Sequence, residues 1–427
     1  MTNRLFAGLT KSHLEYLPLA GKLQDPATVS LPPKATLLIQ DSINGKDTLL
    51  LKPGDAVKTG QKLMLAEKSE VYTISSFTGT ITALEPFTGD FGWTGTAISI
   101  DVAGEDAVDD SFEASMSDLS LETVSGFLAG VPGNPDLSVF SNPETPIDTI
   151  VISGMDSDLQ VATQQQVLQT RIDAVIKGID VLKKTTGIDT VVLVVPINIL
   201  SGYGHIGAEV RAVSTQYPSG LPRMVAMEAL GRVIPAGKSL AEMGIAFFNV
   251  EAAACLGDAF EQGRIPVTKL ITLIDKKGNR AMVSARIGTP IDQLFRAAGI
   301  TVNEMDRIIN GGPMTGTALY LENHPVETVT DAVMVQDKGD LPYISDYPCI
   351  NCGECVRACP VRVPVNMLVR FLEAGHYEEA VQEYDLDSCV DCGLCSYVCV
   401  SRIPIYQYIK LAKHELAKTR PVEETNA

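Results

Sequence analysis

The chain contains the run Cys349-Ile-Asn-Cys352-Gly-Glu-Cys355-Val-Arg-Ala-Cys359-Pro360 and, forty residues further on, Cys389-Val-Asp-Cys392-Gly-Leu-Cys395-Ser-Tyr-Val-Cys399. Both runs have the spacing C-x₂-C-x₂-C-x₃-C. Two residues between successive cysteines allow a tight loop to wrap three sulfurs around one metal group, and Gly353 and Gly393 supply the backbone freedom that such a loop requires. We expect a helix after each loop to carry the fourth sulfur away.

This spacing is typical of bacterial two-cluster ferredoxins, in which three thiolates of a run hold one 4Fe-4S cube and the fourth holds the other cube. The two runs therefore predict two clusters with crossed ligation. The predicted ligands are Cys349, Cys352, Cys355 and Cys399 for one cube, and Cys389, Cys392, Cys395 and Cys359 for the other. The alternatives are two zinc knuckles or a set of disulfides, but four-cysteine zinc sites usually come as two separated pairs of cysteines.

Composition restricts the class of protein. A length of 427 residues suggests two to four domains, and 45 % hydrophobic residues are sufficient for packed cores. The net charge of −18 argues against nucleic acid and anionic lipid as direct partners. We find no secretory signal and no apolar run long enough to span a membrane, which predicts a cytoplasmic protein that reaches a membrane only through partner subunits. The ninth cysteine, Cys255, lies in an apolar stretch and is expected to be a buried free thiol.

The chain order predicts a multidomain protein that combines α/β and α+β parts. Residues 1–105 contain short strands separated by turns, for example Thr36-Leu-Leu-Ile and Gly79-Thr-Ile-Thr-Ala-Leu, and resemble barrel-sandwich hybrid domains of the lipoyl and biotinyl type. Lys68 falls where a lipoyl domain carries its modified lysine, although an ordinary exposed lysine is the expectation that we prefer. Residues 106–145 are acidic and rich in Ser, Gly and Pro, which predicts a linker or a poorly packed segment.

The central part predicts strands and helices in alternation. Residues 148–153 and 190–195 have the pattern of buried strands on either side of an amphipathic helix over 159–186, so a parallel sheet is expected within an α/β core at 146–265. Residues 266–335 give two strands, a helix and a glycine-rich strand end, a pattern similar to a β-grasp. The loop Gly311-Gly-Pro-Met-Thr-Gly316 is not a P-loop, because no Lys-Ser/Thr pair follows it, and a structural turn is expected. Residues 336–427 form the helical ferredoxin-type module and tail.

Taken in this order, the chain resembles the RnfC family. The resemblance is carried by the cysteine module, by Gly311-Gly-Pro-Met-Thr-Gly316 and by the landmarks Tyr217-Pro-Ser-Gly, Gly231-Arg-Val-Ile-Pro-Ala-Gly and Asn249-Val-Glu. It implies a peripheral subunit of the Rnf ion-translocating ferredoxin oxidoreductase, on the inner face of the cell membrane. It also implies a Rossmann-like core that binds FMN and takes hydride from NADH, followed by an SLBB-like β-grasp.

The chain departs from that family in the flavin region. The family's Gly-Gly-Ala-Gly-Phe-Pro-Thr loop corresponds to Gly126-Phe-Leu-Ala-Gly130-Val-Pro132-Gly-Asn, in which Gly126 and Gly130 are the candidate flavin residues. Its acidic nucleotide segment corresponds to Gly154-Met-Asp-Ser-Asp158-Leu, in which Gly154 is the candidate. Closely spaced glycines let backbone amides approach a phosphate, and that spacing is lost. These three glycines mark a degenerate flavin site, so neither FMN nor NADH oxidation is expected.

Three functional hypotheses follow. The first is an electron-transfer subunit that relays electrons through two 4Fe-4S clusters to or from a membrane redox complex. The second is an FMN-dependent subunit that oxidises NADH. The third is a soluble RnfC-like reductase that serves a cytosolic enzyme such as a corrinoid protein or proline reductase.

A partner is expected to dock near the clusters, and the candidates are membrane-embedded subunits, a cytochrome or a ferredoxin. Two groups of side chains suggest where. One is an apolar set after Cys359, namely Val363, Met367, Leu368, Phe371 and Leu372, and the other is a set of lysines in the tail, namely Lys410, Lys413 and Lys418. The alternative interpretation of the lysines is a solvated helix end that complements the helix dipole.

Overall fold

The fold mixes α-helices and β-sheets in several parts of the chain. The structure is a computed structural model that describes residues 14–19, 25–41, 49–67, 69, 71–89, 92–116, 119–203, 206–321, 323–341, 343–345 and 347–419. Within these residues no helix is both long and apolar enough to cross a membrane.

The N-terminal part is built from short strands. They are β1 (Ala27–Thr28), β2 (Lys34–Ile39), β3 (Ala56–Val57), β4 (Lys62–Leu63), β5 (Thr73–Ile74), β6 (Gly79–Thr88) and β7 (Thr94–Val102). Four of them form an antiparallel sheet in the order β2-β7-β6-β3, and β4 pairs with β5. Alternate residues of β2 are buried, as expected for a sheet with one covered face. Lys68 lies outside the described residues, so its suggested modification stays a prediction.

Residues 106–145 differ from the acidic linker that we expected. They contain the helices α1 (Ser111–Ser115) and α2 (Leu121–Leu128) and a 3₁₀ turn at Ser138–Phe140. Phe112, Val124 and Leu128 are at most 2 % exposed and belong to the largest core cluster of the chain. The prediction relied on the acidic composition and overlooked a helical spacing of apolar residues. Val124 and Leu128 are four residues apart and therefore lie on one helix face.

A parallel sheet follows, and this prediction is confirmed. Its elements are β8 (Thr149–Ser153), α3 (Thr163–Thr170), α4 (Ile172–Thr186), β9 (Val191–Pro196), β10 (Glu209–Val213), α5 (Pro222–Leu230), β11 (Ile245–Asn249) and α6 (Val250–Gln262). The strand order is β10-β9-β8-β11, and all three pairings are parallel. Every residue of β8 and β9 is buried, as expected for strands covered on both faces.

The single helix predicted over 159–186 is wrong. The chain forms α3 and α4, which meet at Arg171, where φ is −128° and ψ is 30°. Arg171 forms an ion pair with Asp258 of α6. The residues before Thr163 are not helical, because the side chains of Asp156 and Asp158 accept backbone hydrogen bonds that hold that segment in a loop.

The third sheet has six strands. Its elements are β12 (Thr268–Ile274), β13 (Arg280–Arg286), α7 (Ile291–Ala297), β14 (Arg307–Asn310), β15 (Thr317–Ala318) and β16 (Ala332–Gln336), and the strand order is β1-β13-β12-β16-β14-β15. The two strands and the helix predicted here are confirmed. The glycine-rich loop 311–316 connects β14 to β15 and lies against the cysteine module.

The cysteine module is helical. It contains α8 (Glu354–Ala358), α9 (Val365–Glu373), α10 (Tyr377–Tyr384), α11 (Leu394–Tyr397) and α12 (Ile405–Thr419). The predicted docking face after Cys359 is wrong for three of its residues. Val363, Leu368 and Leu372 are at most 4 % exposed and pack inside the module. They were predicted to form a free surface because the sequence does not show which face α10 and α12 cover.

Candidate iron-sulfur centres

The two cysteine loops have the same backbone shape. Gly353 and Gly393 adopt left-handed conformations, with φ of 76° and 72°, and begin the short helices α8 and α11 that carry the third cysteine of each run. Positive φ also recurs at positions forty residues apart, at Asn351 and Asp391 and at Arg362 and Arg402. The predicted role of the two glycines is confirmed.

The eight cysteines line two separate cavities, with four in each. One cavity is lined by Cys349, Cys352, Cys355 and Cys399, together with Ile350, Val369 and Ile403 among others. The other is lined by Cys359, Cys389, Cys392 and Cys395, together with Val363, Leu368 and Ile409 among others. The fourth cysteine of each run thus lies with the first three of the other run. These sets coincide with the crossed ligand sets that the spacing predicts.

Charge interactions between the thiols give the same grouping for the first cavity. Burial, together with the nearby thiols of Cys349, Cys352 and Cys399, raises the pKa of Cys355 to about 11. In the second cavity, burial raises the pKa of Cys389 to about 11, with Asp391 and Cys359 acting in the same direction and Lys413 opposing them. Both shifts favour the neutral thiol of Cys355 and of Cys389, so binding of a metal group at these two cysteines releases protons.

Backbone amides point at several sulfurs. The amide of Asn351 donates to Sγ of Cys349 at 3.4 Å, and the amide of Asp391 donates to Sγ of Cys389 at 3.5 Å. The amide of Ile403 donates to Sγ of Cys399 at 3.4 Å. Hydrogen bonds of this kind stabilise thiolate charge and help to set the reduction potential of a bound cluster.

The donor set fits 4Fe-4S clusters better than single zinc ions. Each cavity offers four thiols and largely apolar walls. A zinc site requires its four ligands to converge on one ion, and no group of three or more His, Cys, Asp or Glu side chains does so among the described residues. A cube presents four separate iron atoms, so its thiolates need not converge. Such clusters supply one-electron transfer when bound.

The two cavities differ in exposure. Cys352 is exposed, and its neighbours Ile350 and Val400 are 66 % and 60 % exposed, so the first cavity lies at the surface. The second cavity is turned inward, since Cys392 and Cys395 are buried. We call these the outer and the inner cavity.

Contacts fix the inner cavity against the rest of the protein. The hydroxyl of Tyr217 donates to the carbonyl of Cys392 at 2.7 Å. An added Cβ at Gly393 would lie 2.4 Å from the carbonyl oxygen of Met314 in the glycine-rich loop, so the two backbones are in close contact. The glycine-rich loop thus has a structural role, as the sequence suggested, and also covers the inner cysteine loop.

The glycines of the predicted flavin region lie in different local environments. Gly126 lies within α2, and Gly130 comes just after that helix. Gly154 follows β8 and is closely packed, since an added Cβ would lie 2.7 Å from Cδ2 of Leu168. At the N-terminus of α6 the side chain of Asn249 accepts from the amide of Ala252 at 2.8 Å, and Gly133 packs directly against that amide. The amide of Ala252 at this helix end is therefore already paired.

Two buried aspartates near Gly154, Asp156 and Asp158, hold neighbouring loops in place by hydrogen bonds. Asp158 accepts from the amides of Met314 and Thr315, at 3.0 and 2.8 Å, and so holds the glycine-rich loop. Asp156 accepts from the amide of Gln164 at 2.7 Å and from the side chain of Gln165 at 2.9 Å. Burial raises the pKa of Asp156 to about 7, with the charge of Asp331 adding to the effect, while the bonds from Gln164 and Gln165 oppose it.

The lysines of the tail do not form one free basic patch. Lys413 donates to the carbonyl of Cys389 at 2.9 Å and to the carboxylate of Asp391 at 2.8 Å, beside the inner cavity. Lys418 is paired with Glu415. The prediction of a free basic docking patch is therefore wrong for Lys413 and Lys418, because both are paired with carboxylates. Sequence reasoning missed the role of Lys413 because 24 residues separate it from Cys389.

Comparison with known proteins identifies the class of the module first. Residues 348–403 match the 4Fe-4S dicluster domain family. The matched segment contains all eight cysteines of the two runs, so this module is similar to 4Fe-4S dicluster domains.

Curated relatives then extend the similarity along most of the chain. The C subunit of an ion-translocating oxidoreductase complex from Serratia proteamaculans is 26 % identical over 83 % of this chain and 53 % of its own length. A protein of the same name from Pseudomonas aeruginosa is 32 % identical over 68 % of this chain and 38 % of its own length. The C subunit of a proton-translocating ferredoxin:NAD(+) oxidoreductase complex from Clostridium ljungdahlii is 27 % identical over 90 % of this chain and 88 % of its own. The resemblance to RnfC-type C subunits is confirmed.

The matches differ in how much of the relative they cover. The chain spans about half the length of the Serratia relative and less than that of the Pseudomonas one. Among solved structures, a chain of an NAD+-reducing NiFe hydrogenase aligns with 73 % of this chain and 63 % of its own, at a TM-score of 0.46 and 12 % identity, which is too weak to support a fold assignment.

Proposed function

We propose that this protein is an iron-sulfur electron-transfer subunit of an Rnf-type ion-translocating oxidoreductase complex. The observation that carries the proposal is the pair of cavities, each lined by four cysteines taken from both runs. Eight thiols in this arrangement suit two 4Fe-4S clusters, with Cys349, Cys352, Cys355 and Cys399 as ligands of the outer one and Cys359, Cys389, Cys392 and Cys395 as ligands of the inner one. The names of the curated relatives support the type of complex.

The route of electrons follows from the exposure of the cavities. The outer cluster would exchange electrons with a partner protein, because only a cluster near the surface can approach another redox centre closely. Exposed Ile350 and Val400 line it, and exposed Tyr347 lies two residues before Cys349 in the sequence. Apolar and aromatic side chains of this kind are suited to a protein contact. The inner cluster would exchange electrons with the outer one, while the bond from Tyr217 holds its loop against the α/β part of the chain. The partners would be other subunits of the complex, or a cytochrome or ferredoxin.

The three sheets support the proposed domain types. The antiparallel sheet β2-β7-β6-β3 with the β4-β5 pair is compatible with a barrel-sandwich hybrid at 1–105. The parallel sheet is compatible with a Rossmann-like core at 146–265, and β12, β13, α7 and β14 with an SLBB-like β-grasp at 266–335. A peripheral position on the inner face of the cell membrane belongs to the same proposal.

We further propose that the chain does not use FMN. Gly126 within a helix, Gly154 packed on Leu168 and Gly133 covering the N-terminus of α6 leave no cradle for a flavin phosphate in this part of the described chain. The buried carboxylate of Asp158, which holds the glycine-rich loop, adds negative charge to the same region. Electrons would then come from a protein donor rather than from NADH.

Anaerobic purification followed by cofactor analysis tests this proposal. Two clusters require about eight iron and about eight sulfide ions per chain, with no flavin after extraction. NADH should leave the visible absorption of the clusters unchanged, whereas dithionite should bleach it. Stoichiometric FMN with NADH-dependent bleaching would instead support the NADH-oxidising alternative. Full iron content without recovery in a membrane complex would support a soluble reductase.

A further inference from the structure

The environments of the two cysteine loops are not equivalent, although their backbones repeat. Position 391 in the inner loop is an aspartate, whereas the corresponding position 351 in the outer loop is an asparagine. The carboxylate of Asp391 is paired with Lys413 of α12, while the side chain of Asn351 accepts from Asn366 of α9 at 2.7 Å. The residue forty positions before Lys413 is the exposed Glu373. The inner loop therefore has the charged pair Lys413–Asp391, whereas the outer loop has the neutral amides Asn351 and Asn366.

Lys413 is held close to the inner cavity from two sides. Its ammonium group donates to the carbonyl of Cys389, a predicted ligand, and to Asp391, whose own amide donates to the sulfur of Cys389. The side chain of Lys413 is 25 % exposed, so water screens its charge only in part. The helix that carries it is anchored by buried Ile405, Ile409 and Leu416.

We propose that Lys413 sets the reduction potential of the inner cluster and keeps it above the value that burial beside Asp391 would give. This inference rests on the proposed function, since it requires clusters in both cavities. Reduction adds one negative charge to a cluster, and burial next to a carboxylate disfavours that charge. A fixed ammonium group beside the ligand loop offsets the effect of the carboxylate. The outer cluster lies at the surface beside Asn351 and needs no such cation.

The test is a redox titration followed by electron paramagnetic resonance on anaerobically purified full-length protein. Lys413→Met should lower one of the two midpoint potentials, with a change of about tenfold or more in the equilibrium constant for reduction, which is about 59 mV for a one-electron couple. The other midpoint should not move. Asp391→Asn should raise the same midpoint, and the double variant should return it close to the original value, because the net charge is then unchanged. Lys413→Arg should retain the original potential.

Lys418→Met is the matched control, because Lys418 lies on the same helix but pairs with Glu415 away from the cysteine loops. Iron content and thermal midpoint are measured for every variant, so a loss of structure is recognised separately from a change of potential. Two intact clusters whose potentials are the same in Lys413→Met as in the original protein would overturn this inference and leave the proposed function standing. Purified original protein without clusters would overturn the proposed function itself.

Discussion

The hydroxyl of Tyr217 lies 2.7 Å from the backbone carbonyl of Cys392, across 175 residues of sequence, and donates a buried hydrogen bond to it. Tyr217 belongs to the segment after β10, and Cys392 is a predicted ligand in the inner cavity. The ring of Tyr217 also packs against that of Tyr16, at a centroid distance of 5.5 Å. This bond therefore connects the α/β part of the chain to the loop that would hold the inner cluster.

Tyr217→Phe should destabilise the protein by about 1–3 kcal/mol, because it leaves a buried carbonyl without its donor. The change keeps the ring, so packing against Tyr16 is preserved. Anaerobic guanidinium unfolding, followed by the absorption of the clusters, measures the effect. Tyr397→Phe is the control, since Tyr397 is 60 % exposed and should tolerate the loss of its hydroxyl. Equal stability of the two variants would show that the bond to Cys392 contributes nothing.

The paired glycines of the two loops allow a matched comparison. Both have positive φ, so an alanine at either position should cost about 1–2 kcal/mol in backbone strain. Gly353→Ala meets only the flexible side chain of Arg357, at 3.2 Å. Gly393→Ala would bring its Cβ to 2.4 Å from the carbonyl oxygen of Met314, so it should also displace the glycine-rich loop. We expect a clearly lower thermal midpoint for Gly393→Ala than for Gly353→Ala. Equal midpoints would contradict the close contact between the two loops.

Asp156 should make stability depend on pH. Its pKa is raised to about 7 in the folded protein, against about 4 for an unfolded aspartate, so the folded state binds the extra proton between these values. Stability should therefore fall as pH rises through this range, and should level off above about pH 7. Asp156→Asn should remove this decrease in stability, whose total over the range is of the order of a few kcal/mol. Unfolding measured between about pH 5.5 and pH 8 tests this, and an unchanged slope in the variant would exclude Asp156 as its source.

The sequence alone was sufficient to predict those structural features that a local residue pattern determines. The ferredoxin-type spacing of the eight cysteines predicts two crossed quartets. The cysteines line the two cavities in the same grouping. The apolar runs at 148–153 and 190–195 predicted the parallel sheet, because strands buried on both faces have no polar alternation. Gly353 and Gly393 were identified by the same local reasoning.

Long-range contacts could not be obtained in this way. Arg171 interrupts the predicted helix and pairs with Asp258, which is 87 residues away. Lys413 was assigned to an external patch, although it contacts Asp391 and the inner loop. Residues 106–145 were judged by their charge, whereas their few apolar side chains decide how they pack. For Arg171 and Lys413 the deciding contact is made by a residue distant in sequence, so composition and spacing carry no signal of it. For residues 106–145 a local signal was present in the spacing of Val124 and Leu128.

The crossed pairing of the two runs is the central claim, and four serine variants compared by electron paramagnetic resonance test it most directly. Cys349→Ser and Cys389→Ser each remove a ligand from the first three of one run and so define the spectrum that remains when the outer or the inner cluster is damaged. If the pairing is crossed, Cys359→Ser should reproduce the spectrum of Cys389→Ser, and Cys399→Ser should reproduce that of Cys349→Ser. The opposite matching, with Cys359→Ser equal to Cys349→Ser, would contradict the two quartets.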